Sequence, residues 1–403
     1  VRLLEELLED QRAKALLVLA RASHEACLAP FIGPARLHES LLIWPRDRPP
    51  RLAYLSPLER DEAAASGIRP LSPEELDVAR AVQEGYDPVE LWSHVVARAA
   101  ERAGVTPGRV ALAGGLDAGL AVAVCDRLAA DGWSFVPGAG IVERLAKRKD
   151  AATVGAVCRV AAGAGDALRR VAALLAAAHA GDGVLELGGE ALTVGRLRRE
   201  IALVLAHHRL EQPEGNIVAP AEEGAVPHTS GSDPRPLRPG ESLIVDLFPR
   251  RRLFADVTRT FCVGPPSDEL AAAHAAVRRA LERARADARP GVRGWQLQET
   301  VCELFAERGY ETPISHPGSE RGYVHGLGHG VGWRVHEYPS FRRKSGDEGR
   351  LEAGDVFTLE PGLYHPEAGW AVRLEDLHAL NDDGLELLTP LPYDLDPRAW
   401  RQL

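Results

Sequence analysis

The chain has 403 residues, 45% of them hydrophobic and 26% charged, which allows about two or three domains with full cores and excludes a disulfide-stapled miniprotein. Its formal charge of -10 argues against a nucleic-acid or anionic-membrane footprint, and no apolar run approaches the ~18 residues of a membrane span. Small or neutral substrates are expected instead, with no nucleic-acid and no membrane partner. Cys27, Cys125, Cys158, Cys262 and Cys302 form no CxxC pair, so reduced and mostly buried thiols are expected rather than a zinc-thiolate site. The opening segment is acidic and amphipathic where an export signal is basic and then apolar, and the expected location is the cytoplasm.

Taken in chain order, a short helix opens the sequence and strand-like runs follow at 15–20, 41–44 and 51–55. The proline-rich stretch from Trp44 to Arg51 reads as an exposed connection, because proline lacks the amide donor a helix or sheet interior needs. Helical periodicity returns at 88–103 and 116–130, and Gly132, Pro137, Gly138 and Gly140 mark a junction at 138–148. Two domains are expected, 1–145 and 146–403. An Ala-rich segment at 150–179 reads as one helix with Asp150 as N-cap and Gly181 as stop, and a second helix covers 190–208. Strands are then predicted at 216–220, 242–249, 253–263, 355–364 and 370–380, with amphipathic helices at 267–289 and 294–308. Helices and antiparallel strands in separate runs imply an α+β domain.

Several catalytic signatures are missing: there is no GxxxxGK[ST], no GxSxG and no HExxH, and the run Gly326-Leu-Gly-His-Gly-Val-Gly332 fails the dinucleotide pattern at Val331. What stands out is acids within strand-like sequence. Asp246 lies in Ser-Leu-Ile-Val-Asp-Leu-Phe and Asp256 in Phe-Ala-Asp-Val-Thr-Arg-Thr-Phe, on either side of a turn-like Pro249-Arg250-Arg251-Arg252. A hairpin across that turn would put both carboxylates on one face, where they repel unless a cation lies between them; the alternative is an exposed hairpin with solvated acids. Glu360 and Glu375 sit at similar apolar positions in two later strands, and His325, His329 and His336 lie in the glycine-rich segment between. Four carboxylates and one imidazole suit hard or borderline divalent ions, and their charge of about -4 would balance two of them. The glycines around His329 let backbones approach closely, and fit neither a helix nor a packed strand. The three arginines at the hairpin tip read as a solvated turn, with a place near a substrate carboxylate as the alternative.

These motifs, in this order, resemble the pita-bread metallopeptidases, the superfamily of methionine aminopeptidase, prolidase, aminopeptidase P and creatinase. The resemblance rests on Pro227-His228, Asp246-Leu and Asp256-Val-Thr-Arg-Thr, His325-Gly-Leu-Gly-His329, His336-Glu337, Thr358-Leu-Glu360-Pro-Gly-Leu-Tyr364 and Val372-Arg-Leu-Glu375-Asp, over residues 146–403. It implies a C-terminal pita-bread (creatinase/methionine-aminopeptidase-like) domain preceded by a small α/β creatinase-type N-terminal domain. Carried over by position, Asp246, Asp256, His329, Glu360 and Glu375 would be metal ligands, with Asp256 and Glu375 touching both ions. His228, His325 and His336 would face the substrate, and Arg373 would either orient a ligand or bind a carboxylate. The spacing from Asp246 to Asp256 is one residue shorter than the family's usual pattern, and Phe248-Pro249 replaces its common Gly-Ala, so the hairpin tip is altered.

The resemblance further implies two divalent ions, manganese first with cobalt or zinc also compatible, and a metal-bridging hydroxide that attacks the peptide carbonyl. Glu360 would move the proton to the leaving nitrogen, and His336 or His228 would stabilise the oxyanion. The N-terminal domain disfavours plain methionine aminopeptidase, and the complete ligand set disfavours creatinase. Prolidase, cutting Xaa-Pro dipeptides, is the expected activity; aminopeptidase P, acting on longer peptides, is the alternative, and a non-catalytic binding protein of the same fold the remote one. A homodimer is expected, in which an Arg-rich loop (Arg36, Arg46, Arg48, Arg51) of the N-terminal domain gates a partner's site.

Overall fold

The computed structural model describes residues 2–22, 25–343 and 346–402, and its internal contacts divide the chain between Ala146 and Lys147. In the first unit a six-stranded mixed sheet has the order Pro70–Leu71, Arg51–Tyr54, Ser40–Pro45, Ala15–Ala20, Arg109–Gly114, Ser134–Pro137. Ala15–Ala20 is apolar throughout because both faces are covered. Ala15, Leu17 and Leu19 enter one hydrophobic cluster, with Trp92 and Val96 of helix Pro88–Ala103, while Leu16, Val18 and Ala20 enter another, with Leu4 and Leu8 of helix Arg2–Asp10. Period-two alternation at the centre of a two-sided layer requires such a run. Pro45 ends its strand as a buried residue, and the exposed connection is confined to 46–49.

The second unit opens with helix Ala151–Ala177, capped by Asp150, whose side chain accepts from Thr153 N. By length and composition this helix is apolar enough to cross a membrane, which corrects the expectation that no segment qualifies. Arg159, Asp166, Arg169 and Arg170 break its apolar run but leave an Ala-rich, apolar average. Val157, Leu168, Val171 and Leu175 are buried in the main core against helix Val194–His207 and the strands below, as in a core helix. Gly181 is not the stop. The helix ends at Ala177, and His179–Gly181, Val184–Leu187 and Glu190–Ala191 form a small three-stranded sheet, turned by Asp182 and Gly183, both at positive φ.

A three-stranded antiparallel sheet follows, with Ser242–Leu247 between Ile217–Pro220 and Val257–Cys262. Helices Asp268–Asp287 and Gly294–Ala306 bury Leu270, Val277, Leu281, Val301 and Phe305 in a second cluster. The last predicted strands each divide in two. Val356–Leu359 and Asp376–Asn381 belong to a five-stranded sheet, whereas Gly362–His365 and Trp370–Arg373 pair with each other alone. Pro361 cannot donate to a ladder, so the chain leaves one sheet at Glu360 and re-enters it after Glu375.

Candidate metal centre

The hairpin register sets Asp246 opposite Thr258, and Asp256 lies two residues before Thr258, so all three belong to one face. Asp246 and Asp256 are buried. The tip is not a uniformly solvated turn. Arg250 Nη2 donates to Glu211 Oε2 at 3.1 Å, Arg252 packs over the Trp333 ring, and only Arg251 of the three is exposed.

Glu360 and Glu375 occupy the two places where the chain changes sheets. Glu360 N donates to Leu327 O at 2.7 Å and Glu375 N to Thr258 O at 3.1 Å, and Thr258 Oγ1 donates to Glu375 Oε2 at 2.7 Å. His329 begins a two-residue strand, His329–Gly330, so the glycines here do sit in a strand, contrary to expectation. Their use is close approach: a Cβ on Gly328 would lie 2.1 Å from Thr358 O, and one on Gly330 2.0 Å from Tyr338 O.

These elements bring ligand atoms of Asp256, His329 and Glu375 within 4.8 Å of one another. His329 Nε2 also lies 3.4 Å from Glu360 Oε1 and 3.8 Å from Asp256 Oδ2. His329 Nδ1 donates to Gly330 O at 3.2 Å, and burial, with His336 adding to it, pushes the imidazole down to about 3. The ring is therefore neutral and turns a lone pair, not a proton, toward two carboxylates. Burial also raises Asp256 and Glu375 well above the usual carboxylate range and Glu360 to about 8, and the neighbouring acids push each in the same direction. Asp246 Oδ1 and Asp256 Oδ1 are buried without a hydrogen-bond partner. A lone pair among carboxylates and two orphaned buried oxygens together fit a cation.

One guanidinium borders the cluster and pairs with Asp246. Arg373 is buried and donates through Nη2 to Asp246 Oδ2 at 2.7 Å, through Nη1 to Tyr364 OH at 2.9 Å and Pro227 O at 3.3 Å, and through Nε to Thr258 Oγ1 at 3.3 Å. With its donors engaged inside the protein, it orients Asp246 and the Pro227-His228 turn. Since Arg373 donates to the Tyr364 oxygen, the tyrosine hydrogen goes to His325 Nε2 at 2.8 Å, and His325 Nδ1 donates to Gly326 O at 2.7 Å. Both nitrogens of His325 are thus occupied, and burial pushes it down to about 3. His228 and His336 are exposed, and the His336 ring centroid stands 4.1 Å from that of His329. Tyr364 and Thr258 were quoted within motifs but not singled out as site residues. The only sequence signal for them is a hydroxyl in a buried strand position beside an acid.

The same architecture is found in solved structures. The prolidase from Pyrococcus horikoshii superposes with a TM-score of 0.74 at 21% identity over 98% of this chain and 99% of its own, and an X-Pro aminopeptidase from Thermotoga maritima with 0.70 at 22% over 97% and 98%. The fold is thus the pita-bread fold preceded by an α/β N-terminal domain. Residues 160–382 match the model of metallopeptidase family M24, and the chain belongs to that family. The Xaa-Pro dipeptidase of Pyrococcus furiosus is 32% identical over 212 residues, 51% of this chain and 57% of that relative. A probable dipeptidase PepE of Mycobacterium tuberculosis is 30% identical over 236 residues, 57% of this chain and 58% of its own length. The chain thus spans somewhat over half the length of these curated relatives.

Proposed function

We propose that the chain hydrolyses Xaa-Pro dipeptides, with two divalent cations held by Asp246, Asp256, His329, Glu360 and Glu375. The observation that carries this is the His329 lone pair facing Asp256 and Glu360 beside orphaned carboxylate oxygens, a donor set that repels itself without cations. The Xaa-Pro specificity of the similar dipeptidases supports the choice of substrate. Manganese is the first candidate, with cobalt or zinc compatible with the same N/O donors. When bound, the ions supply Lewis acidity and lower the pKa of water toward ~7.

The chain's own residues do the rest. Glu360, adjoining the cluster, takes the proton of the attacking water and delivers it to the proline nitrogen, which as a tertiary amide has none of its own. His336 and His228, both exposed, donate to the oxygen of the tetrahedral intermediate. Arg373 and the Tyr364–His325 pair hold Asp246 and the Pro227-His228 turn in place, so Arg373 has an orienting role rather than a carboxylate-binding one.

The test is hydrolysis of Leu-Pro against a Leu-Pro-containing tripeptide, with manganese and after chelation. Cleavage of the dipeptide alone, lost on chelation and restored by manganese, is expected. Faster cleavage of the longer peptide would make the activity that of an aminopeptidase P. No metal-dependent cleavage of either would leave a binding protein.

A further inference from the structure

We propose that the buried Lys149–Glu337 ion pair is a positioning device for His336, holding its ring over His329; the catalytic meaning of that position rests on the function proposed above. The Lys149 side chain is 0% exposed and that of Glu337 6%, so this is a charge pair withdrawn from water within the second unit. Buried pairs are weak sources of stability, and matched uncharged replacements are often neutral or better. Something other than stability should therefore account for its place.

Both ends of the pair are anchored. Lys149 N donates to Gly354 O at 2.7 Å and Lys149 Nζ to Lys147 O at 3.1 Å, while the neighbouring Lys147 Nζ reaches Arg350 O at 2.7 Å and Asp355 Oδ2 at 3.3 Å. Glu337 gives Oε1 to Lys149 and uses Oε2 to accept from Arg334 N at 3.1 Å. That second bond closes a four-residue loop, 334–337, and His336 lies within it. His336 is exposed, whereas Val335 before it is buried in the main core and Glu337 after it is pinned by the lysine. Two fixed neighbours leave the ring little freedom to depart from its tilted contact with His329, the ring centroids 4.1 Å apart and the planes at 60°. The adjoining backbone is shaped for the pair as well: a Cβ on Gly332 would fall 2.7 Å from Lys149 Cε and 2.8 Å from Glu337 Oε1. The ladder between His329–Gly330 and Glu337–Ser340 is bulged, His329 pairing with Ser340 and Gly330 with Glu337, so pairing alone does not fix the loop.

The test is the full-length double variant Lys149→Met/Glu337→Gln, which removes both charges at nearly constant volume. In the zinc-loaded protein, the ¹H–¹³C Cε1 resonance of His336, assigned by its loss in His336→Ala, should move from its ring-shifted position toward that of a freely exposed histidine. An unmoved resonance overturns the proposal, whether or not any peptide is cleaved, so a failure of the dipeptidase reading remains separable. If the wild type does hydrolyse Leu-Pro, kcat of the double variant should fall on the order of 10- to 100-fold, the effect of an ångström-scale misplacement, with manganese affinity within about twofold. In a His336→Ala background the same two changes should cost no more than about twofold further in kcat, because the pair acts through that ring. A full additional loss there, or a parallel loss of manganese affinity, would mean the pair props the whole site and would overturn the assignment to His336. If the double variant does not fold, Glu337→Asp, which keeps the charge but shortens its reach, supports the proposal by a shifted His336 resonance and refutes it by an unchanged one.

Discussion

Glu375 and Asp376 are adjacent, both buried, and electrostatically opposite. Asp376 faces Arg259 Nη2 at 2.7 Å, accepts from Thr389 Oγ1 at 3.2 Å and from Tyr393 OH, and although burial alone pushes its carboxyl up, Arg259 and His378 hold it below the usual range. Glu375, turned to the other side of the chain, has one hydroxyl from Thr258, and burial with Glu360 and Asp246 drives it well above that range. The protein supplies its own cation to one acid and withholds it from the next. Arg259 ties the two together, since Nη1 also donates to Thr258 O at 2.9 Å and Glu375 O at 2.6 Å. A neutralised network thus serves as the rigid backing of an uncompensated one, which separates an acid kept for structure from an acid kept for a ligand.

That contrast can be broken residue by residue. The largest effect is expected from Glu375→Gln, which should reduce manganese-dependent hydrolysis to background and remove the manganese-induced rise in Tm, while the metal-free protein gains about 1 kcal/mol from relief of like-charge repulsion. Asp376→Asn should do the reverse, leaving Arg259 buried without its counter-ion and costing about 3–5 kcal/mol in urea unfolding. Equal stability changes in the two variants would erase the distinction. Tyr364→Phe removes the hydroxyl between Arg373 and His325, and should lower kcat roughly tenfold and cost about 1–3 kcal/mol in urea unfolding. The smallest effect belongs to an intermediate case. Asp355 is paired with Lys147, yet burial raises it to about 6. A raised carboxyl contributes stability below its unfolded value of 3.8 that is lost as pH rises through about 6, so Asp355→Asn should flatten the fall in Tm across that interval.

Much of this was legible in the sequence, for physical reasons. Asp246 and Asp256 stood out because a carboxylate among β-formers needs a partner, and the hairpin register does bring them to one face. The approach of Asp256, His329 and Glu375 follows the residues singled out as one cluster. What stayed hidden was set by tertiary contact: the chain Thr258, Arg373, Tyr364, His325 joins residues more than a hundred positions apart at its first step, and no local pattern encodes which hydroxyl meets which nitrogen. Other misses were readable but unread. Asp182-Gly183 is a hairpin-turn pair, and Pro361 marks where a single predicted strand had to divide between two sheets.

The sheet of the first unit carries one more consequence. Its core strand Ala15–Ala20, apolar at every position, is the kind of segment that seeds intermolecular cross-β association when a neighbour can dock beside it. Here it is an interior strand, with three strands on one side and two on the other, and the two outermost strands are short and each contains a proline, Pro70 or Pro137, at a position that cannot donate to an incoming backbone. The borders of the sheet are therefore poor templates for another chain, and the most adhesive sequence of the unit is shielded from its own copies.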